Sequence, residues 1–217
     1  MDIDHTAPST LLLLVRHGVT PTTGQVLPGR APGLHLSEAG REQARAVAQR
    51  LEGLELAAIY TSPMERARET AAPAAESSGL EPVLCGGIVE CDFGEWTGGQ
   101  LTELSRLPEW KTVQQAPSTF RFPGGESFPE MQDRMVAALE AIAARHRGGV
   151  VACFSHADPI KAAVAHLSVR PLDEFQKISI DPASVTVAEY RPDGTTAVVG
   201  TNSTVGPVKG LRGTGRP

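Results

Sequence analysis

Leu11-Leu12-Leu13-Leu14-Val15-Arg16-His17-Gly18 is the stretch on which the fold turns. Its apolar residues run without a break from Leu11 to Val15, so neither side is left for water, and the run is too short for a helix. Such a segment reads as a strand buried on both faces. A strand of that kind needs a layer on each side of its sheet, and helices linking parallel strands supply those layers. The run then stops abruptly on a cation, an imidazole and a glycine.

The same alternation repeats outward from there. Leu36-Ser37-Glu38 opens a helix, with Ser37 as N-cap and Ala44, Val47, Ala48 and Leu51 on one face. Ala57-Ala58-Ile59-Tyr60 is a second buried strand. It runs into Ser62-Pro63-Met64-Glu65, where Ser at the cap, Pro at the first helical position and Glu three residues on mark a helix start. Val83-Leu84 reads as a short third strand. Residues 86–126 are irregular and carry both tryptophans, and a connection that long is usually functional. Ser127-Phe128-Pro129-Glu130 is a further capping box, ahead of the stripe Phe128, Met131, Met135, Leu139 and Ile142. Val150-Val151-Ala152-Cys153-Phe154 is another buried strand, followed by a helix over residues 159–167. Ile178-Ser179-Ile180, Val185-Thr186-Val187-Ala188 and Ala197-Val198-Val199 read as strands, the last two paired as a hairpin across Pro192-Asp193-Gly194. The expected architecture is α/β: a three-layer α/β/α sandwich with a mostly parallel sheet and an antiparallel edge. A single domain is expected over residues 1–202. Residues 203–217, rich in Gly and Pro and without an acidic residue, read as a loose tail.

The chain has 217 residues, 41% hydrophobic and 21% charged, which suffices for one sizeable core. A net charge of −5 argues against a general basic surface for nucleic acid or acidic lipid. An anionic substrate must therefore be gripped by a few placed arginines. No apolar run approaches the roughly 20 residues that span a bilayer, and the leader Met1-Asp2-Ile3-Asp4 is acidic, unlike a secretory signal. Cys85, Cys91 and Cys153 are odd in number and lack CxxC or Cys/His metal spacing. The expectation is a cytoplasmic enzyme, monomer or homodimer, with no metal or other cofactor and no nucleic-acid or membrane partner.

In an open α/β sheet, ligands sit beyond the C-terminal ends of the strands. There the sequence puts Arg16-His17-Gly18 after the first run and Thr61-Ser62 after the second, with Arg66 one turn into the next helix. Ser155-His156-Ala157 follows the fourth. Each is weak evidence alone, since a lone His after a strand or a lone Arg early in a helix is commonly structural. Their convergence carries the weight. Burying two arginines and two histidines with no carboxylate at matching positions is costly unless an anion completes the site. A phosphoryl group fits, because Arg binds its oxygens bidentately.

Six segments follow one another from Leu11 to Lys161: Leu14-Val15-Arg16-His17-Gly18-Val19-Thr20, Leu36-Ser37-Glu38-Ala39-Gly40-Arg41-Glu42-Gln43-Ala44, Thr61-Ser62-Pro63-Met64-Glu65-Arg66-Ala67-Arg68-Glu69-Thr70-Ala71, Glu90-Cys91-Asp92-Phe93-Gly94-Glu95-Trp96-Thr97-Gly98, Pro123-Gly124-Gly125-Glu126-Ser127 and Ser155-His156. In that order they resemble the histidine phosphatase superfamily, the phosphoglycerate mutase-like enzymes. The resemblance implies that fold and a metal-independent phosphomonoesterase acting on a small phosphorylated metabolite. It implies His17 as the nucleophile that becomes a phosphohistidine, with Arg16, Arg66 and His156 holding the phosphoryl oxygens. Glu90 would give the leaving group its proton and then activate water, with Asp92 and Glu95 as nearby substitutes. The Ala157 backbone N–H at a helix start could add a donor, and Thr23 and Gly29 align with phosphate-lining positions. The flanking arginines fit these roles, since they disfavour a protonated His17.

Some features stay open at this level. The family often has small residues after its second histidine, whereas Asp158 follows Ala157 here. Asp158 either caps a helix or contacts a hydroxyl or cationic part of the substrate. Trp96 and Trp110 wall the pocket or pack the irregular segment. Cys91 reads as a small buried hydrophobe rather than a redox sensor, and His5, His35, His146 and His166 as bystanders. A phosphomutase would use the same phosphohistidine, but the short segment before Pro123-Gly124-Gly125-Glu126-Ser127 favours hydrolysis. A non-catalytic phospho-ligand sensor would be free to lose His17 or Glu90, and both are present. Asp2-Ile3-Asp4-His5-Thr6 matches the DxDxT pattern of magnesium-dependent aspartyl phosphatases, yet no buried strand precedes it.

Overall fold

The computed structural model describes residues 8–208. Strand β1 (Thr10–Arg16) leads, followed by helix α1 (Glu38–Leu51), whose first turn is closed by Ser37 Oγ accepting the Gly40 N–H at 3.1 Å. Strand β2 (Leu56–Thr61) and helix α2 (Glu65–Ser78) come next, then the two-residue strand β3 (Val83–Leu84). The irregular connection contains two short helices, α3 (Leu101–Leu104) and α4 (Trp110–Gln115). Helix α5 (Phe128–Arg145) opens on the expected capping box, with Ser127 and Glu130 each accepting the other's backbone N–H. Strand β4 (Val150–Ser155), helix α6 (Ala157–Leu167) and the hairpin β5 (Val185–Tyr190) and β6 (Thr196–Ser203) complete the order.

The strands lie in the order β3-β2-β4-β1-β5-β6. β1, β4, β2 and β3 run parallel, and the terminal hairpin adds the antiparallel edge beside β1. Alternate residues of β1 feed two separate cores. Leu12 and Leu14 pack with Met135, Leu139 and Ile160 of α5 and α6, while Leu13 and Val15 pack with Val47, Leu51 and Ala71 of α1 and α2. That double duty is why the segment reads as one apolar run. Among the described residues, no helix is long and apolar enough to cross a membrane.

Three expectations need correction. Ser62 does not cap α2, which begins at Glu65 with Met64 at the cap and no side-chain cap bond. The Ser62 hydroxyl accepts the Met64 N–H ahead of the helix at 3.3 Å and bonds His156 at 2.8 Å. Ile178-Ser179-Ile180 forms no strand, because the Ile180 carbonyl is taken by Arg16 Nη1 at 2.7 Å instead of a ladder partner. Residues just past 202 are not loose: β6 runs to Ser203, Val208 is buried, and Arg50 Nη1 and Nε hold the Ser203 and Gly206 carbonyls. The Asp2–Thr6 pattern and residues 209–217 lie outside the described residues.

Candidate active site

β2, β4 and β1 are adjacent in the sheet, so their C-terminal ends bring Arg66, His156 and His17 to one place. The ladder reaches into the site itself: the His17 N–H donates to the Ser155 carbonyl at 3.0 Å. Gly18 follows because helix α1 docks directly against this turn. A Cβ there would stand 2.7 Å from the Gly40 carbonyl oxygen, and the Gly18 N–H is free to donate to Thr70 Oγ1 at 3.0 Å.

His17 is oriented by its immediate neighbour. Nδ1 lies 2.7 Å from the Gly18 carbonyl oxygen, which can only accept, so Nδ1 carries the proton and Nε2 keeps its lone pair. Arg66 Nε, which can only donate, points at Nε2 from 3.3 Å. Burial and the Arg66 guanidinium hold the His17 pKa down at about 3, so the imidazole is neutral near neutral pH. His17 is thus a neutral imidazole at the cavity lining, with the lone pair of Nε2 turned to Arg66.

Arg66 has no accessible surface, and its Nη2 donates to the Gly29 carbonyl at 2.8 Å. Gly29 sits at φ +52°, where a Cβ would also come 2.8 Å from Thr97 Oγ1. Gly29 thus supports Arg66 from behind and does not line the cavity, unlike the expected phosphate-lining position. His156, also fully buried, shares a 2.8 Å hydrogen bond with Ser62 Oγ, and its ring centroid is 5.2 Å from that of His17. Burial, with help from Arg66 and His17, keeps His156 well below the ordinary imidazole range.

Glu90 occupies the other side, with Oε2 3.8 Å from His156 Nδ1 and Oε1 accepting the Cys91 N–H at 2.9 Å. Burial, reinforced by the Asp158 carboxylate, lifts its pKa to about 7 against the pull of Arg66 and Arg16. It can therefore hold a proton that an ordinary carboxyl would have lost. Of the substitutes, Asp92 is engaged by the Gly94 N–H and Arg30, and Glu95 is exposed. Neither stands beside the imidazoles.

One feature of this cluster points to its ligand. Arg66 Nη1, Arg16 Nε and His156 Nδ1 are buried and hydrogen-bond to nothing among the described residues. Leaving one such group unmatched costs about 1–3 kcal/mol, more if charged. Three of them, on the immediate neighbours of His17 in the cluster, suit a tetrahedral oxyanion. Arg16 lines a cavity of about 490 Å³ together with His17, Glu90 and Ala157, while Arg66 and His156 touch His17 without being part of that lining. Ala157 is the first residue of α6, so its N–H has no intrahelical acceptor. Thr23 also lines the cavity, its hydroxyl accepting the Thr20 N–H at 2.8 Å.

The profile of the histidine phosphatase superfamily (branch 1) matches residues 12–203. The chain belongs to the histidine phosphatase superfamily. Relatives bear this out. Phosphoserine phosphatase 1 of Hydrogenobacter thermophilus is 34% identical over 181 residues, covering 81% of this chain and 84% of that one. The 2,3-bisphosphoglycerate-dependent phosphoglycerate mutase of Thermoplasma acidophilum is 28% identical, covering 82% and 86%. A phosphoserine phosphatase of Entamoeba histolytica, solved with 3-phosphoglyceric acid, superposes with a TM-score of 0.80 at 26% identity over 89% of this chain and 97% of that one. Against the Mycobacterium tuberculosis relatives that are 34% identical over 199 residues, this chain spans 54% of their length. As a histidine phosphatase with these relatives, the protein is an enzyme that hydrolyses phosphate monoesters.

The histidine phosphatase site also separates residues that the sequence left ambiguous. Trp96 is buried against Phe120 and Phe122, whereas Trp110 stacks on Trp96 and faces the cavity. Asp158 caps nothing, since His156 is the N-cap of α6; it lines the cavity and pairs with Lys161 at 3.5 Å. Cys91 is fully buried, and burial pushes its thiol pKa up, as for an inert hydrophobe. His146 bonds the Tyr60 hydroxyl and His35 pairs with Glu69, away from the cavity. Among the described residues no cluster of His, Cys, Asp or Glu is placed to hold a metal ion. Ser62, Thr20 and Lys161 are site residues that sequence reading missed; Ser62 alone carried a signal, as a hydroxyl directly after a buried strand.

Proposed function

We propose that the protein hydrolyses a small phosphorylated metabolite through a phosphohistidine on His17, without a metal ion. Arg16, Arg66 and His156 hold the phosphoryl oxygens, the Ala157 N–H supplying a further donor. His17 Nε2 attacks phosphorus, the bond to the ester oxygen breaks, and the protonated Glu90 carboxyl gives its proton to the departing alkoxide. Glu90, now a carboxylate, takes a proton from water. The resulting hydroxide attacks phosphorus, the P–N bond breaks, and inorganic phosphate leaves. Uncatalysed monoester hydrolysis is so slow that barrier reductions above about 20 kcal/mol are involved. Fixed cations around a dry oxyanion site are the kind of device that supplies most of such a reduction.

The observation carrying this reading is the trio of unpartnered buried nitrogens on Arg16, Arg66 and His156, the side chains gathered at His17. Release of phosphate, and not its transfer to a second hydroxyl, is supported by the Hydrogenobacter phosphoserine phosphatase, 34% identical against 28% for the mutase. Those relatives make O-phosphoserine and 3-phosphoglycerate the first esters to test. A cytoplasmic enzyme, monomeric or homodimeric, fits the free cysteines.

The test is turnover of p-nitrophenyl phosphate in the presence of a chelator, with quenching in alkaline detergent to trap the phosphoenzyme. Activity should survive chelation and vanish in His17→Ala, and the parent should show phosphoprotein that is labile in acid and stable in base. Undiminished activity in His17→Ala, or a strict magnesium requirement, would overturn the proposal. Incubation with 3-phosphoglycerate, scored for free phosphate against isomerisation, separates hydrolysis from mutase activity.

A further inference from the structure

Glu90 lies on a segment with no strand to hold it, after the single 3-10 turn of Gly86–Ile88. Its backbone is nevertheless pinned carbonyl by carbonyl, from side chains. Arg134 Nη1 of helix α5 donates to the Gly87 and Val89 carbonyls at 2.9 and 2.8 Å. Ser155 Oγ at the end of β4 donates to the Ile88 carbonyl at 2.7 Å. The Glu90 carbonyl takes two donors, Arg134 Nη2 at 3.0 Å and Arg30 Nε at 2.8 Å.

Both guanidinium groups are in turn joined by one carboxylate. Glu126 accepts from Arg134 through both oxygens, at 2.5 and 3.0 Å, and from Arg30 Nη2 at 2.9 Å. Glu126 is further tied to the segment by the Asp92 N–H at 3.0 Å. Burial alone would raise the Glu126 pKa, but the hydrogen bonds from Arg134 and Asp92 outweigh it and hold the group ionised. Arg30 has a second connection. It follows Gly29, whose carbonyl holds Arg66 Nη2. The Gly29-Arg30 dipeptide therefore touches the phosphate-holding arginine with one residue and the acid's backbone with the next.

We propose that Arg30, Glu126 and Arg134 form a clasp of positioning residues that sets the Glu90 carboxyl at the height where the ester oxygen departs, with Arg30 tying that height to Arg66. The inference rests on the phosphatase reading above. Its role is geometric: none of the three faces the cavity floor, and none exchanges a proton with substrate.

A merely structural clasp and a positioning clasp differ in how its loss depends on the leaving group. An alkyl alkoxide needs a proton as it leaves, whereas p-nitrophenolate does not. General acid catalysis is worth about 100- to 10,000-fold, so misplacing the acid forfeits part of that for alkyl esters alone. Arg30→Met removes its bonds to the Glu90 carbonyl and to Glu126, together with its 3.8 Å ion pair to Asp92, and leaves the Glu126–Arg134 pair in place. The expected result is a fall of about tenfold or more in kcat/KM for ethyl phosphate against less than about threefold for p-nitrophenyl phosphate. Arg30→Lys, which keeps one donor, should recover part of the ethyl phosphate rate. If Arg30→Met does not fold, Glu126→Gln keeps the shape of the clasp while removing its charge, and should show the same selectivity. Equal losses on both esters, or no loss on either, would overturn the clasp. A parent enzyme that hydrolyses neither ester would instead sink the phosphatase reading itself.

Discussion

Replacing Glu90 by Gln should make the protein more stable and less active at once, with the stability gain growing as pH rises. Glu90 is only 6% exposed, and its pKa stands at about 7 against an ordinary 4.5. At about 1.4 kcal/mol per unit, the folded state disfavours the ionised carboxylate by about 3 kcal/mol. The unfolded chain gives up this proton near 4.5, and the folded chain keeps it to about 7. The group's contribution to stability is thus complete below the lower value and lost as pH climbs through the higher one. Gln does not titrate, so Glu90→Gln should gain about 2–3 kcal/mol on the parent between about pH 5 and about pH 8. For a chain of this size that is roughly 5–10 °C in Tm. Thermal unfolding of both proteins across that range measures it directly. Ethyl phosphate hydrolysis by the parent should decline above about pH 7 as the acid ionises, and should drop about 100-fold or more in the variant. A stability gap that stays flat, or closes with rising pH, would refute the claim that Glu90 is held protonated by burial.

Other perturbations read different parts of the site. Arg66→Met keeps the hydrocarbon volume but removes the cation beside His17, and should cost about 100-fold or more in kcat/KM with every ester. Asp158→Ala should raise KM for the physiological ester by about tenfold, the value of a hydrogen bond to a charged group, while p-nitrophenyl phosphate changes little; equal effects on both esters would exclude a leaving-group contact. Gly18→Ala forces a methyl to 2.7 Å from the Gly40 carbonyl oxygen, and a loss of about 1–3 kcal/mol should appear in urea unfolding.

The layered fold and the residues His17, Arg16, Arg66 and His156 were legible because both follow from local pattern. A strand buried on both faces leaves a continuous apolar run, and the polar residue after it marks the end of the sheet where ligands gather. Capping boxes around Ser37 and Ser127 were equally local. Failures came where a polar group is spent on a distant partner. Ser62 has the form of a helix cap, yet its hydroxyl serves a histidine 94 residues away. Ile178-Ser179-Ile180 alternates like a strand, but the Ile180 carbonyl is claimed by Arg16 across 164 residues. Gly29 shows only as a turn residue, since offering a carbonyl to Arg66 leaves no trace in side-chain chemistry. Arg30 and Arg134 look like ordinary surface cations for the same reason.

The carbonyls of residues 87–90 hang on α5, β4 and Arg30, and none is held by the stretch from 98 to 120 that contains α3 and α4. Glu90, the proposed proton donor, is therefore a fixture of the frame, and the neighbouring wall is upholstery. A transplanted wall of another length or shape would redraw which alcohols fit while the donor kept its station. Descendants of one such frame can diversify their diets without relearning how to cut the bond.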